Sequence, residues 1–175
     1  MAVVNIHLRH LPVPVEAVGA LVDSLAGEGD ELWPVQNWPA MRFDRALGAG
    51  AAGGHGPIRY TVEHYVPGHW VRFRFTGPRG FHGFHEFTVH PTPGGTDLVH
   101  LLAMNVRGQA RLAWPLAYRW MHDALLEDCL DRAERGLTGS VAHPARWTRR
   151  VRLLRRLAER ATSRAASSAA TASVS

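Results

Sequence analysis

The chain opens with a strict alternation of apolar and polar residues from Val3 to His10, a pattern typical of a β-strand. Pro14 suits the first turn of a helix, and the apolar positions after it recur at helical spacing as far as a stop signal at Gly27. Asp30 is a favourable N-cap, so Asp30–Trp33 is predicted as a second, short helix. The N-terminal part is therefore predicted to contain one strand and two short helices.

Residues 41–107 have the alternation and the turn signals of an antiparallel meander. Met41–Ala46 is predicted as a strand and Ala49–Gly56 as a glycine-rich connection. After this connection, runs rich in β-branched and aromatic residues alternate with short segments that contain proline and glycine. The strands predicted from these runs are Ile58–Val66, His69–Thr76, Phe81–His90 and Asp97–Arg107.

Beyond Gly108 the apolar period changes from two to about 3.6 residues, which indicates a helix. The pattern predicts one long amphipathic helix over Gln109–Leu137, with Tyr118 and His122 on its apolar side and acidic residues on the other. Pro115 either lies in the first turn of this helix or kinks it.

The order of elements and three stretches of sequence resemble the START-like superfamily, also called SRPBCC. The stretches are IRYTVEHYVPGHWVRFRF at 58–75, GFHEFTVHPTPGGTDLVH at 83–100 and WPLAYRWMHDALLEDCLDRAERGL at 114–137. The resemblance covers about residues 3–137 and implies an α+β helix-grip fold. In that fold a curved antiparallel sheet, here of six to seven strands, wraps around a long C-terminal helix, and the gap between them binds apolar ligands.

The turn positions predict which side chains face that gap. If Pro67-Gly68 is a two-residue loop, Glu63 opposes Arg72 and Val62 opposes Phe73. Glu63, Arg72 and Glu86 then form a charged ladder on the solvent side. The side chains predicted to face the ligand are Tyr60, Val62, His64, Phe73, Phe75, His85, Phe87, His100, Leu102, Met104, Tyr118 and His122.

This predicted cavity supports two interpretations of function. The first is a module that binds a hydrophobic small molecule, lipid or polyketide-like, without chemistry and without a cofactor. The alternative, implied by the resemblance, is a polyketide cyclase/aromatase-type enzyme with His85, His100 and Tyr60 as candidate acid/base groups. Each histidine is otherwise explained as a packed residue with a satisfied ring nitrogen. Trp33 and Trp38 are either packing residues or part of the cavity entrance.

The net charge of +5 divides unevenly along the chain: it is −2 up to Pro144 and +7 from Ala145 onwards. This division predicts a ligand-binding domain over 1–140 and an appendage over 141–175. In the appendage, Arg146–Arg164 has the pattern of a basic amphipathic helix, and Thr162–Ser175 is predicted to be disordered. The helix has no dedicated partner, or it binds an anionic membrane surface or a protein. Nucleic acid is an unfavoured partner, because the remaining domain is slightly acidic.

Several other functions are not expected from the sequence. Cys129 is the single cysteine, which excludes an internal disulfide. No metal site is predicted, because His7/His10 and His82/His85 are three residues apart on strands and so point to opposite faces.

Residues 48–53 match G-x-G-x-x-G, but a strand rather than a helix follows them, so this segment is expected to be a loop. No apolar run approaches the length of a membrane span and no secretory pattern is present, so a cytoplasmic location is expected, with peripheral membrane association as a further option.

Overall fold

The computed structural model describes the backbone of residues 1–172 and the side chains of residues 1–161. The strands are β1 (Ala2–Leu11), β2 (Arg42–Phe43), β3 (Ala52–His55), β4 (Ile58–Val66), β5 (Trp70–Gly77), β6 (Phe81–Thr92) and β7 (Gly95–Val106). The α-helices are α1 (Val15–Asp23), α2 (Ala110–Ala113), α3 (Arg119–Thr138) and α4 (Arg149–Ala172). A π-helical turn, Trp114–Tyr118, joins α2 to α3, so that these segments form one continuous helix of 29 residues, here called the long helix.

All seven strands form one antiparallel sheet in the order β1-β7-β6-β5-β4-β3-β2. The main core lies between the inner face of this sheet, α1 and α3, and a smaller apolar cluster lies around Phe81, Met104 and Trp114. Sheet and helices bury one apolar face each in this way, as a two-layer α+β architecture requires. The predicted fold class is therefore confirmed.

The junction around Pro115 resolves the alternative that the sequence left open. Proline lacks a backbone N–H and cannot continue a regular ladder of hydrogen bonds. The long helix accommodates it with the π turn, in which the N–H of Arg119 bonds to the carbonyl of Trp114. The chain passes through this turn without leaving the helix.

The second predicted helix, Asp30–Trp33, is instead a turn held by one side chain. The carboxylate of Asp30 accepts hydrogen bonds from the backbone N–H groups of Leu32 and Trp33, at 3.0 and 2.7 Å. These bonds satisfy the amides locally, and Pro34 disfavours a helical conformation at the residue before it. Trp33 is thereby placed in the core with 2% of its surface exposed.

Part of the predicted glycine-rich connection, Ala49–Gly56, is the short strand β3. A Cβ atom on Gly53 would lie 1.9 Å from the carbonyl oxygen of Arg42, and one on Gly54 would lie 1.9 Å from that of Ile58. Glycine is needed here because neighbouring backbone segments approach too closely for any side chain. The adjacent strand β2 is shorter than predicted for the same region.

A β-bulge in β4 changes the predicted register. Val62 pairs with Phe73 as predicted, but the next pair is His64 with Arg72, so Glu63 is the extra residue. Arg72 opposes Glu86 and Val71 opposes Phe87, as predicted. Because one inserted residue reverses the faces beyond it, the prediction for His64 was wrong: it lies on the outer face, exposed, and stacks on Trp70.

In β1 the polar residues face the long helix and the apolar residues face outwards. Val4, Ile6 and Leu8 are 68%, 62% and 55% exposed. Arg9, on the inner side, forms ion pairs with Asp131, Glu127 and Glu134 of α3. The helix thus presents acidic groups to this edge of the sheet, and β1 supplies the complementary polar side chains.

The basic segment is a helix that packs on the domain. Val151 of α4 is 3% exposed and belongs to the main core, together with the partly buried Trp147. The helix continues to Ala172, so that its backbone includes most of the segment predicted to be disordered from Thr162. Residues 173–175 of that prediction lie outside the described residues.

Candidate ligand cavity

A cavity of about 510 Å³ lies between the inner face of the sheet and the long helix. Strands contribute Ile58, Phe75 and Leu102, and the long helix contributes Tyr118 and Leu125. The segment between α1 and β2, the β3–β4 turn, and Phe81 at the start of β6 form more of the wall. Trp114 and other residues of the long helix, and three residues of α4, complete it. The long helix covers the inner face of the sheet without filling the space between them.

Two buried histidines form the polar centre of the inner wall. His85 on β6 is 5% exposed, and His100 on β7 is 2% exposed. The Nδ1 atom of His85 lies 3.3 Å from the Nε2 atom of His100. Their other ring nitrogens, Nε2 of His85 and Nδ1 of His100, have no hydrogen-bond partner among the described residues. Burial lowers the pKa of both imidazoles well below the usual value, so both are neutral at pH 7.

Two further histidines line the same space from other elements. The ring of His55, on β3, packs against Trp33. Its Nδ1 atom lies 3.1 Å from the hydroxyl oxygen of Tyr60. Burial lowers the pKa of His55 to about 3. His122 of α3 lies with its ring centroid 5.2 Å from that of His100. The cavity therefore combines apolar walls with several neutral imidazoles.

No protein-family model and no curated protein matches the chain, whereas solved structures do. CalU16 from Micromonospora echinospora superposes with a TM-score of 0.55 at 12% identity, over 91% of this chain and 86% of that one. Norcoclaurine synthase from Thalictrum flavum, in complex with dopamine and hydroxybenzaldehyde, gives 0.61 at 12% identity, over 82% and 90%. Aha1 from Colwellia psychrerythraea gives 0.53 at 14% identity, over 77% and 98%. The chain has the helix-grip fold. The resemblance to the SRPBCC superfamily is thereby confirmed for the fold.

Six of the residues predicted to face the ligand line the helix-grip cavity: Phe75, His85, His100, Leu102, Tyr118 and His122. Five others are buried in the core beside it: Tyr60, Val62, Phe73, Phe87 and Met104. Among the predicted acid/base candidates, Tyr60 is fully buried between Phe73, His55 and His85. Burial raises the pKa of Tyr60 well above its usual value, so its hydroxyl is a hydrogen-bonding group that keeps its proton.

The helix α4 forms a part of the helix-grip cavity that was not predicted from the sequence. Arg155 lines the cavity, with its guanidinium 4.6 Å from the ring centroid of Trp38 and 5.2 Å from that of Trp147. Its Nη2 donates to Glu159 at 2.6 Å, whereas Nε and Nη1 are buried without a hydrogen-bond partner among the described residues. The four-residue spacing of Trp147 and Val151 was the signal in the sequence that one side of this segment packs against the core.

The two tryptophans beside Arg155 are held by one carboxylate. Asp128 of α3 accepts hydrogen bonds from the indole N–H groups of Trp38 and Trp147, at 2.7 and 3.0 Å. Burial raises the pKa of Asp128, and the two indoles act against this shift. Trp33 and Trp38 are both buried and both line the cavity. Each therefore packs in the core and also forms part of the cavity wall.

Cys129, on α3, is packed in the main core with no exposed surface. Burial raises the pKa of its thiol well above the usual value, which keeps the thiol protonated and unreactive.

Proposed function

We propose that this protein binds a hydrophobic small molecule of the lipid or polyketide type between the sheet and the long helix. The observation that carries this proposal is the cavity itself. Its volume of about 510 Å³ lies within the range of small-molecule sites, and apolar and aromatic side chains form most of its wall. SRPBCC proteins generally bind small molecules, which supports the same interpretation.

Two features of the wall favour a ligand that contains a ring and an oxygen acceptor. Phe75, Phe81 and Tyr118 offer edges and faces for an aromatic or polyketide-like ring. Arg155 lines the cavity, and its guanidinium is a cationic group with which a carbonyl, phenolate or carboxylate oxygen would pair. A protein of the same fold, norcoclaurine synthase, holds two aromatic molecules, dopamine and hydroxybenzaldehyde.

Binding of the fluorescent probe 1-anilinonaphthalene-8-sulfonate tests this proposal, because the probe has aromatic rings and one anionic group. We expect one probe per chain. Met121→Trp narrows the cavity and should weaken the affinity at least about tenfold, an effect of about 1.4 kcal/mol. Arg155→Met should also weaken it by about tenfold, because a charged hydrogen bond is lost.

The matched controls lie outside the cavity wall. Val66→Trp adds the same ring on an exposed part of β4, and Arg160→Met removes a charge from the exposed side of α4. Both should retain the affinity of the unmodified protein. Equal affinity in all four variants would contradict binding in this cavity.

The alternative function, a polyketide cyclase/aromatase-type enzyme, is favoured by the pair His85 and His100. Both are neutral, line the cavity and contact each other, and one nitrogen of each ring has no hydrogen-bond partner in the part of the chain that the structure describes. A neutral imidazole within reach of an enolisable carbon or its oxygen can accept or donate the proton that cyclisation requires.

A turnover assay with a poly-β-carbonyl thioester separates the enzyme from a binding protein. If the imidazoles act chemically, His85→Phe and His100→Phe should retain the probe and lose turnover, while His64→Phe on the outer face changes neither. Turnover that survives both substitutions would exclude these histidines as the acid/base groups.

For partners, we propose that α4 and the start of the long helix bind an anionic membrane surface. Leu112, Leu116 and Leu153 are 70%, 60% and 57% exposed, and arginines adjoin Leu112 and Leu153 in the sequence. Arg150 joins the two helices, because it donates to the carbonyl of Leu116 and lies over the ring of Trp120. Exposed apolar side chains ringed by cations are typical of surfaces that bind anionic bilayers.

Within the described residues, none of the helices has the length and hydropathy needed to cross a bilayer. Cytoplasmic location remains our proposal, and nucleic acid remains an unfavoured partner on the charge distribution.

A further inference from the structure

A second cluster of polar side chains lies where β1 crosses the long helix. His7 comes from β1, and His122 and Asp123 come from α3. One nitrogen or oxygen atom from each of these three side chains lies within 4.8 Å of the other two. The Nε2 atom of His7 is 3.5 Å from Oδ1 of Asp123, and Nδ1 of His122 is 3.6 Å from the same oxygen.

These separations fit a shared metal ion. Ligand atoms at about 2.0–2.2 Å from a tetrahedral zinc ion are about 3.4 Å apart, close to the two shorter separations observed. Both ring nitrogens of His122 and Nε2 of His7 are buried without a hydrogen-bond partner among the described residues. Buried polar atoms of this kind require an explanation, and an ion is one.

The groups around the cluster orient it as they do at metal sites. Nδ1 of His7 lies 2.8 Å from Oε1 of Glu127, so this nitrogen donates and leaves the lone pair of the neutral ring on Nε2. Asn5 donates to Oδ1 of Asp123 at 2.9 Å and fixes the carboxylate. Arg119 lies 3.7 Å from Oδ2, the other oxygen of that carboxylate.

We propose that His7, His122 and Asp123 form a binding site for a divalent transition-metal ion such as Zn²⁺. Two imidazoles and one carboxylate suit Zn²⁺ and Fe²⁺ better than Ca²⁺ or Mg²⁺, which prefer oxygen ligands. Asp123 is 34% exposed and gives the ion access from solvent.

The site is also adjacent to the cavity. His122 belongs to both the metal cluster and the cavity wall, so the ion would lie at the edge of the space described above. Three protein ligands leave at least one coordination position for water or for an oxygen of a bound molecule. The proposal does not depend on the proposed function, because metal binding is measured without any cavity ligand.

The competing explanation for the cluster is an ion pair without a metal. Burial lowers the pKa of His7, but the hydrogen bonds and charges of Asp123 and Glu127 outweigh it and raise the pKa to about 9. A protonated His7 between two carboxylates would then hold β1 on the helix. This explanation predicts that no ion binds specifically.

The test is a titration of the full chain, freed of metal with a chelator, with Zn²⁺ alone. We expect one Zn²⁺ per chain, with affinity lowered more than tenfold in His7→Ala and in His122→Ala. Glu127→Gln should lower it by about 10- to 100-fold, as expected for a group that orients a ligand. His10→Ala is the matched control, because His10 lies on the same strand and pairs with Asp97 on the exposed side.

NMR of the unsubstituted protein tests the site even if a variant fails to fold. Zn²⁺ should shift the imidazole signals of His7 and His122 and leave those of the exposed His64 and His82 unchanged. The proposal is overturned if no equivalent of Zn²⁺ binds, or if binding is the same in His7→Ala and His122→Ala as in the unsubstituted chain.

Discussion

At the scale of single residues, the distinctive feature is the set of imidazoles held neutral inside the domain. His85 and His100 are among the few polar residues in the core, and their contact satisfies only one nitrogen of each ring. Such groups oppose protonation because a charge inside an apolar environment has lost its hydration. Their positions on β6 and β7 followed from strand alternation, whereas their burial depends on the helix above them.

The buried imidazoles predict acid sensitivity of the fold. In the unfolded chain these side chains bind protons below about pH 6.5, and in the folded chain they do not, because burial lowers their pKa. The contribution of these histidines to the free energy of unfolding should therefore be greatest above about pH 7. It should fall as the pH is lowered through 6.5 towards 5. Each such histidine contributes a slope of up to about 1.4 kcal/mol per pH unit.

Urea unfolding between pH 5 and 8 measures this slope. His85→Phe should make it shallower, since one proton-binding group of the unfolded chain has been removed. His64→Phe should have a much smaller effect, because that side chain is exposed to water when the protein is folded. A slope in His85→Phe equal to that of the unsubstituted protein would contradict this account.

At the scale of elements, sequence periodicity predicted correctly whether a segment is a strand or a helix. It predicted less well which face of a strand points to the core. The strand Ile58–Val66 has the predicted bounds, and the long helix is displaced by only one residue at each end. The faces of β1 and of the C-terminal half of β4 depend on partners distant in the chain. In β1 the acidic side of α3 draws Arg9 inwards, and in β4 the bulge at Glu63 turns His64 outwards.

Half of the predicted ligand-facing residues line the cavity, five others are buried in the core beside it, and His64 is on the outer face. Tyr60, Phe73 and Phe87 lie on the inner face of the sheet but are fully buried by neighbouring side chains. Alternation identifies a face and cannot distinguish positions along it.

At the scale of the whole molecule, α4 connects the cavity to the proposed membrane surface. Arg155 points to the cavity and Val151 to the core, while Arg149, Arg152 and Arg156 remain exposed. These three arginines recur at helical spacing and lie beside Leu153. A bilayer bound to these arginines would lie against the same helix that supplies Arg155 to the cavity wall.

Sedimentation with phosphatidylglycerol-containing vesicles tests this arrangement. The triple variant Arg149→Glu/Arg152→Glu/Arg156→Glu should bind about 100-fold more weakly, at about 1 kcal/mol for each basic residue near the surface. Reversal of Arg42, Arg79 and Arg135, which are exposed elsewhere, should have a much smaller effect.

High salt and vesicles of neutral lipid should weaken binding in the same way as the triple variant. Pelleting that is insensitive to salt and to the triple variant would exclude α4 as the membrane-binding surface and leave a protein partner as the remaining option.

The helix-grip fold was expected from the resemblance of three sequence stretches and of the element order, whereas the sequence by itself determined the antiparallel meander and the long amphipathic helix. These features follow from local periodicity, since a strand or a helix must present one apolar face to the core. Only the tertiary structure decided the bulge that moves His64, the packing of α4 against the cavity, and the meeting of His7 with His122 and Asp123. Those features depend on contacts between residues far apart in the chain, as His7 is from Asp123, and no local pattern records which distant side chains will meet.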